Sequence, residues 1–255
     1  NLNCIVLDKA IFPRDKVCGD ALSGKSVRIM EELNLTSEVE KLNGSEINRI
    51  TFGGPNHTQF DVHLKGNNKN NFITKGFVIP RKIFDHYLFK KAKEVAEVLE
   101  GFKVKDIVHD GNKLNGVRGI NKDGDEQIIE APIVLGCDGA NSIVARKLDT
   151  YKRGMDNTAV AIRCYYEGVE GLSNQIELHY ISEVKPGYFW LFPAGEGKAN
   201  IGIGLSKNDA KKENRTLTNI MEEVTRSEYF KKRFSNAKPL EKPKGWNLPM
   251  GSINR

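Results

Sequence analysis

The loop Phe12-Pro13-Arg14-Asp15-Lys16-Val17-Cys18-Gly19-Asp20-Ala21-Leu22-Ser23 collects residue types that could hold a phosphorylated ligand and act on it. Arg14 and Lys16 are cationic donors suited to a pyrophosphate. Gly19 permits close backbone approach to a flat ring. Cys18 sets a polarizable thiol beside that glycine. Read alone, the same loop is also a plain basic surface loop. A second candidate is Gly136-Cys137-Asp138-Gly139-Ala140-Asn141-Ser142-Ile143-Val144-Ala145-Arg146. A buried strand would deliver Asp138 into a tight turn, and Gly139 would open a helix. That aims backbone N–H groups and a carboxylate at a ligand. Arg146, two turns along, would fix the turn or reach a phosphate.

Two further signals are weaker taken singly. Asp8 closes an apolar run, Asn3-Cys4-Ile5-Val6-Leu7. An acid at a strand end binds ribose hydroxyls in dinucleotide-binding βαβ units, and a solvated strand end is the plain alternative. The glycine-rich turn expected roughly 20 residues before such an acid is not in the sequence. Tyr188, Trp190 and Phe192 alternate in Pro186-Gly187-Tyr188-Phe189-Trp190-Leu191-Phe192-Pro193 and share one face of a strand. They would wall a flat ring or a long apolar substrate; ordinary core packing is the competing reading.

The elements that must position these residues follow from periodicity. Residues 3–8 read as a buried parallel strand, followed by a loop from Lys9 to Ser23 and a helix from Gly24 to Leu33. Strands are expected at 47–52, 59–64 and 72–79, with an exposed hairpin loop at 65–71. Pro80 and Arg81 open a helix to about Leu99, with Ile83, Phe84, Tyr87, Leu88, Ala92 and Val95 at helical spacing. A meander is expected at 102–108, 114–120 and 126–130, then a short buried strand at 133–137. Antiparallel strands at 158–167, 175–181, 188–192 and 199–205 precede a helical region from 208 to 234 and an aperiodic tail from Lys238. The fold class is therefore α/β (α+β), a partial Rossmann-like nucleotide-binding domain with an inserted antiparallel-sheet substrate domain. The boundaries read as 1–45 and 80–150 for the cofactor domain, 46–79 and 151–237 for the β-rich domain, and 238–255 for a return segment to the cofactor domain.

Composition excludes several classes. With 255 residues, 39% hydrophobic and 28% charged, the chain is an ordinary globular sequence. No apolar run approaches the roughly 20 residues of a membrane span, and a cytoplasmic location is the default expectation. The net charge of +6, from 39 Lys+Arg against 33 Asp+Glu, reads as a solvated surface; no basic run interleaved with aromatics points to nucleic acid. Cys4, Cys18, Cys137 and Cys164 form no CxxC pair, which argues against a disulfide scaffold and against a metal site. Cys4, Cys137 and Cys164 read as small core residues. The stretch Met221 to Phe234, with aromatics beside cations, reads as a surface helix, with peripheral membrane contact as the alternative.

Together the motifs resemble the geranylgeranyl reductase family, within the flavoprotein group that includes the p-hydroxybenzoate hydroxylases. They occur in that family's order: the acidic strand end at Asp8, PRxKxCG at Pro13 to Gly19, RxxFD at Arg81 to Asp85, DGxxS at Asp138 to Ser142 and YxWxFP at Tyr188 to Pro193. The resemblance implies FAD, reduced by NAD(P)H or another electron donor, and an isoprenoid or lipid substrate whose carbon–carbon double bonds accept hydride. It implies that Asp8 binds the adenosine ribose and that Arg14 and Lys16 lie near the pyrophosphate or flavin. Cys18 and Gly19 would face the isoalloxazine, Arg81 would contact the cofactor, and Asp138 with Gly139 would hold the ribityl–pyrophosphate region. Tyr188, Trp190 and Phe192 would line the lipid pocket, with Cys18 and Tyr188 the candidate catalytic groups. The family's glycine-rich first turn and later GD motif are not in the sequence, so it reads as an excerpt that lacks the first βα unit and the C-terminal part. A flavin monooxygenase or halogenase of the same fold is the first alternative; its WxWxIP pattern differs from Tyr188–Pro193. A non-catalytic lipid-binding module is the second.

Overall fold

The computed structural model describes residues 2–64, 75–111, 113–148 and 158–250; the expected hairpin loop at 65–71 lies outside them. The chain divides into two compact units, Asn1–Arg14 with Asp85–Gly154, and Asp15–Phe84 with Met155–Arg255. Residues 15–45 and the tail from 238 thus group with the large sheet, where the sequence pattern had placed them with the cofactor part.

In the first unit, Ile5–Asp8 pairs in parallel with Glu97–Glu100, Asp8 opposite Glu100. The helix Arg81–Val95 ends earlier than its apolar spacing suggests, because Glu97–Glu100 leaves it to become that second strand. Phe12 stacks on Phe89 of the helix, ring centroids 4.0 Å apart. The expected meander is present as Lys103–Asp110, Lys113–Ile120 and Glu126–Glu130. At Gly119 an added Cβ would lie 2.5 Å from the buried Phe102 ring, so a bare backbone lets that ring close the unit's core.

The buried strand expected at 133–137 is a correction. This segment is irregular, with Ile133 73% and Leu135 81% exposed. A strand is stable only with a ladder partner, and among the described residues none pairs with it. Cys137 on it and Cys4 are exposed, so of the three cysteines expected in the core only Cys164 is buried.

The second unit is built on an eight-stranded sheet in the order Gln59–His63, Arg49–Gly53, Gln175–His179, Tyr188–Pro193, Lys198–Ser206, Thr158–Glu167. Lys238–Pro239 and Lys244–Pro249 both pair with the outer side of Thr158–Glu167, giving the aperiodic tail a ladder. All pairings are antiparallel except that of Arg49–Gly53 with Gln175–His179.

Alternation sends the two faces of this sheet to different tasks. One face carries Ile162, Cys164, Phe189, Leu191, Ile201, Ile203 and Leu205, packed against Ile220, Met221 and Val224 of the helix Leu217–Arg226 and against Phe230. On that face, buried Glu177 hydrogen-bonds His179 and is held in a fork by Arg233, at 2.6 and 2.8 Å. Tyr229 and Phe234 pack against the same core. The apolar side chains of the 221–234 stretch therefore face inward, because the sheet offers them a drier surface than a lipid headgroup layer would. The membrane contact suggested for that stretch loses its apolar half. No helix among the described residues is long and apolar enough to cross a membrane.

The other face carries Ala161, Trp190 and Phe192, with Tyr165, Ile176, Leu178 and Tyr188 beside them. This is the face that the Cys18–Gly19 turn meets. A three-stranded sheet of Ala21–Leu22, Gly76–Val78 and Ser45–Ile47 follows that turn.

Candidate functional site

The aromatic wall is real and laid out in rows by strand register. Phe192, Asn200 and Tyr165 lie abreast on three neighbouring strands; the next row is Trp190, Gly202 and Arg163, and the next Tyr188, Gly204 and Ala161. Glycines at 202 and 204 alternate with Ile201, Ile203 and Leu205, which point to the other face. At Gly202 an added Cβ would sit 2.3 Å from the Trp190 ring, so the indole lies flat across this strand only because no side chain is there. At Gly204 an added Cβ would meet Ala161, Trp190 and Tyr188 at 3.8–4.0 Å, ordinary packing distances. Tyr180, Tyr188, Trp190 and Phe192 form a continuous row, with successive centroids 5.7, 6.0 and 6.2 Å apart. Exposure falls along it, from 45% at Tyr180 to 6% at Trp190 and 7% at Phe192. The row leads from solvent to a dry end.

At that dry end stands the Cys18–Gly19 turn. An added Cβ at Gly19 would be 3.1 Å from Phe192 and 3.6 Å from the Trp190 indole nitrogen, so the turn sits directly on the wall. Cys18 is half-buried, and its carbonyl accepts a 2.8 Å hydrogen bond from Asn200 Nδ2. Cys18, Gly19, Tyr188, Trp190 and Phe192, all singled out from the sequence, thus share one face of one unit. Burial pushes the Tyr188 phenol above its ordinary pKa, with Tyr180 adding to the effect, so Tyr188 keeps its proton at neutral pH.

The remaining residues singled out have other settings. Asp8 ends its strand and accepts a 2.8 Å bond from the Ala10 amide through Oδ1. Arg14 does not present a free guanidinium: it pairs with buried Asp85, the acid of RxxFD, and lies over the Phe12 ring at 4.7 Å. Lys16 is exposed. Asp138 heads the Gly139–Asn141 turn and accepts a 2.6 Å bond from the Ile143 amide. Gly139 has φ +75° with nothing within 4 Å of an added Cβ, a left-handed backbone open to an incoming group. Arg81 begins its helix in the second unit, next to Asp20, on which its backbone N–H exerts a weak pull.

Residue types and spacing did not reveal the polar cluster beneath the turn. Asp20 is 1% exposed, with φ +66°. Its Oδ2 accepts from the Tyr165 hydroxyl and, at 2.7 Å, from Asn200 Nδ2. Trp190 Nε1 donates to Asn200 Oδ1 at 3.0 Å. Burial pushes Asp20 up to about 6, although Tyr165, Asn200 and the Arg163 charge all pull the other way. Fully buried Arg163 stacks over Tyr165 at 4.3 Å and is paired with Asp15, at 2.6 Å, and with Glu241. Asp20 stands next to Gly19 in the motif, but its partners are 145 and 180 residues away in the chain, so only sheet register brings them to it.

Residues 158–245, which supply the Thr158–Glu167, Tyr188–Pro193 and Lys198–Ser206 strands, match the geranylgeranyl reductase catalytic domain. The digeranylgeranylglycerophospholipid reductase of Methanosarcina acetivorans is 33% identical over 184 residues, covering 71% of this chain and 44% of that protein. This chain belongs to the geranylgeranyl reductase family. A menaquinone reductase of Mycobacterium tuberculosis is 31% identical over 235 residues, covering 88% of the chain and 55% of its own length. The chain spans about half the length of the curated relatives it matches. In fold, it superimposes on a geranylgeranyl bacteriochlorophyll reductase-like protein from Thermoplasma acidophilum with TM-score 0.78 at 18% identity, covering 98% of the chain and 61% of that structure. A flavin-dependent brominase gives 0.80 at 20% identity, covering 96% of the chain and 61% of that structure. The geranylgeranyl reductase family chain therefore has the flavoprotein fold that its motifs imply.

Proposed function

We propose that the chain is the core of an FAD-dependent reductase that saturates carbon–carbon double bonds in an isoprenoid chain. The observation that carries this reading is the aromatic row from Tyr180 to Phe192 over the Gly202–Gly204 floor, ending at the Cys18–Gly19 turn. A polyprenyl chain is long, narrow and apolar, and such a graded slot would bury it without demanding hydrogen bonds. The relatives named as reductases of digeranylgeranylglycerophospholipid and menaquinone support a prenylated lipid as the substrate class.

The residues present fit FAD. Within the first unit, an acid on a parallel strand end and an acidic turn followed by an open glycine are what a dinucleotide needs. Asp8 would hold the ribose, Asp138 and Gly139 the ribityl–pyrophosphate region, and Lys16 and Arg81 would add positive charge. Arg14 would act through its ion pair with Asp85, fixing the loop rather than reaching the phosphates. Cys18 and Gly19 would face the isoalloxazine. When bound and reduced, by NAD(P)H or another electron donor, FAD supplies the hydride. The protein's own part is to exclude water along the aromatic row and to offer a proton to the neighbouring carbon. Tyr188, kept protonated by burial, and Cys18 are the candidates for that proton.

The full-length protein should purify yellow, and Asp138→Ala should lower its flavin content several-fold. Flavin content unchanged by that substitution would show the assignment to be wrong. A monooxygenase or halogenase reading draws on the shared fold alone; it requires oxygen uptake coupled to reductant oxidation, whereas the reductase reading requires alkene loss under anaerobic conditions. A lipid-binding module would remain colourless at full length.

A further inference from the structure

We propose that Asp20 positions the Cys18–Gly19 turn, and with it the Cys18 thiol, through the Asn200 amide and the Tyr165 hydroxyl. Asn200 has three partners: its oxygen takes the Trp190 indole N–H, and its nitrogen gives one bond to the Cys18 carbonyl and one to Asp20 Oδ2. The amide is a bracket with three fixed arms, and Asp20 is the arm that carries a charge. Tyr165 supplies a second donor to the same oxygen. The other oxygen, Oδ1, is buried without a hydrogen bond of normal geometry.

A purely structural residue would not be expected here. A carboxylate 1% exposed and in left-handed backbone, one of whose oxygens has only the Arg81 backbone amide near it, is costly for the fold. An asparagine would fill the same space, accept the same bonds and tolerate that backbone better. A costly acid directly after the thiol-bearing turn is what a tuned site requires. The charged groups around it are few: Arg163 faces it from the Thr158–Glu167 strand and the Arg81 amide from its helix start, while Asp15, Glu241 and Lys244 are engaged with Arg163 or with one another. With Asp20 ionised, the donors of Asn200 and Tyr165 are gripped and the turn is held; with Asp20 neutral, the grip loosens. The apparent midpoint lies at about 6, within the working range of most enzymes.

The catalytic consequence of this device rests on the flavin reading, but its test does not. The alkylation rate of each cysteine is measured by peptide mass spectrometry on the full-length protein between pH 5 and 8, and corrected for thiolate fraction. Cys4 and Cys137, exposed and away from Asp20's hydrogen bonds, serve as internal standards. The corrected Cys18 rate should fall about three-fold as pH rises through the Asp20 midpoint, with no step at the standards. In Asp20→Asn the step should vanish, leaving the fast limb throughout. In Tyr165→Phe, which keeps the ring and removes one donor to the carboxylate, the midpoint should move upward. A flat Cys18 profile in the parent protein, a step that survives Asp20→Asn, or a midpoint indifferent to Tyr165→Phe would each overturn the proposal. None of these outcomes depends on bound flavin, so failure here leaves the cofactor assignment to its own test.

Discussion

At the scale of single residues, two buried carboxylates end with opposite net shifts although burial pushes both up. Burial would push Glu177 up, but hydrogen bonds from His179 and Arg233 outweigh it and hold Glu177 at about 2. Its contribution to stability is therefore present at neutral pH and lost as pH falls from the ordinary 4.5 toward 2. Arg233→Ala leaves that charge unpaired and should cost about 3–5 kcal/mol in urea unfolding at pH 7. Asp20 has the reverse sign. Its pKa is raised from 3.8 to about 6, so folding is favoured while it is protonated, and stability is lost as pH rises through that window. Asp20→Asn should thus be more stable than the parent at pH 7, by up to roughly 3 kcal/mol, with the difference closing below pH 4. A variant less stable at pH 7 would contradict the buried-charge account. The thiol and glycine of the loop suggest their own chemistry at close spacing, but the engagement of Arg14 by Asp85, 71 residues away, does not show there. The Asp20 cluster was not legible either, because Tyr165 and Asn200 look like ordinary strand positions until register sets them side by side.

At the scale of elements, alternation was the most readable signal. The strands at Thr158–Glu167, Tyr188–Pro193 and Lys198–Ser206 lie within a residue or two of where period-two patterning puts them. Patterning failed where a strand's fate depends on a neighbour: residues 133–137 are apolar enough for a buried strand but have no ladder among the described residues, while Lys244–Pro249, with no pattern, gains one from Thr158–Glu167. The glycine floor is the element-level feature on which the aromatic row depends. Gly202→Ala would place a methyl 2.3 Å from the Trp190 ring and 2.2 Å from the Ile162 carbonyl. It should cost about 1–3 kcal/mol of stability and lift the indole out of the row. A prenylated substrate should then bind at least about ten-fold more weakly while flavin content stays unchanged. An equal fall in flavin content would mean that the wall supports the cofactor rather than the lipid.

At the scale of the whole molecule, one unit holds the parallel strand pair with Asp8 and the Asp138 turn, and the other holds the aromatic face with the Cys18–Gly19 turn. The order of motifs along the chain made this division of labour legible, since acidic strand end, thiol loop and aromatic strand belong to a single flavoprotein family. Its boundaries were less so: residues 15–45 follow their contacts with the large sheet, which local sequence does not encode. The central claim is that the aromatic slot presents an isoprenoid alkene for reduction. It is tested most directly by giving the full-length protein a polyprenyl lipid and a chemical reductant without oxygen, and reading the product by mass spectrometry. Each reduced double bond should add the mass of two hydrogen atoms, and Trp190→Ala should abolish that gain. A lipid recovered with all its double bonds intact, or altered only when oxygen is admitted and then by the mass of oxygen or a halogen, would contradict the account.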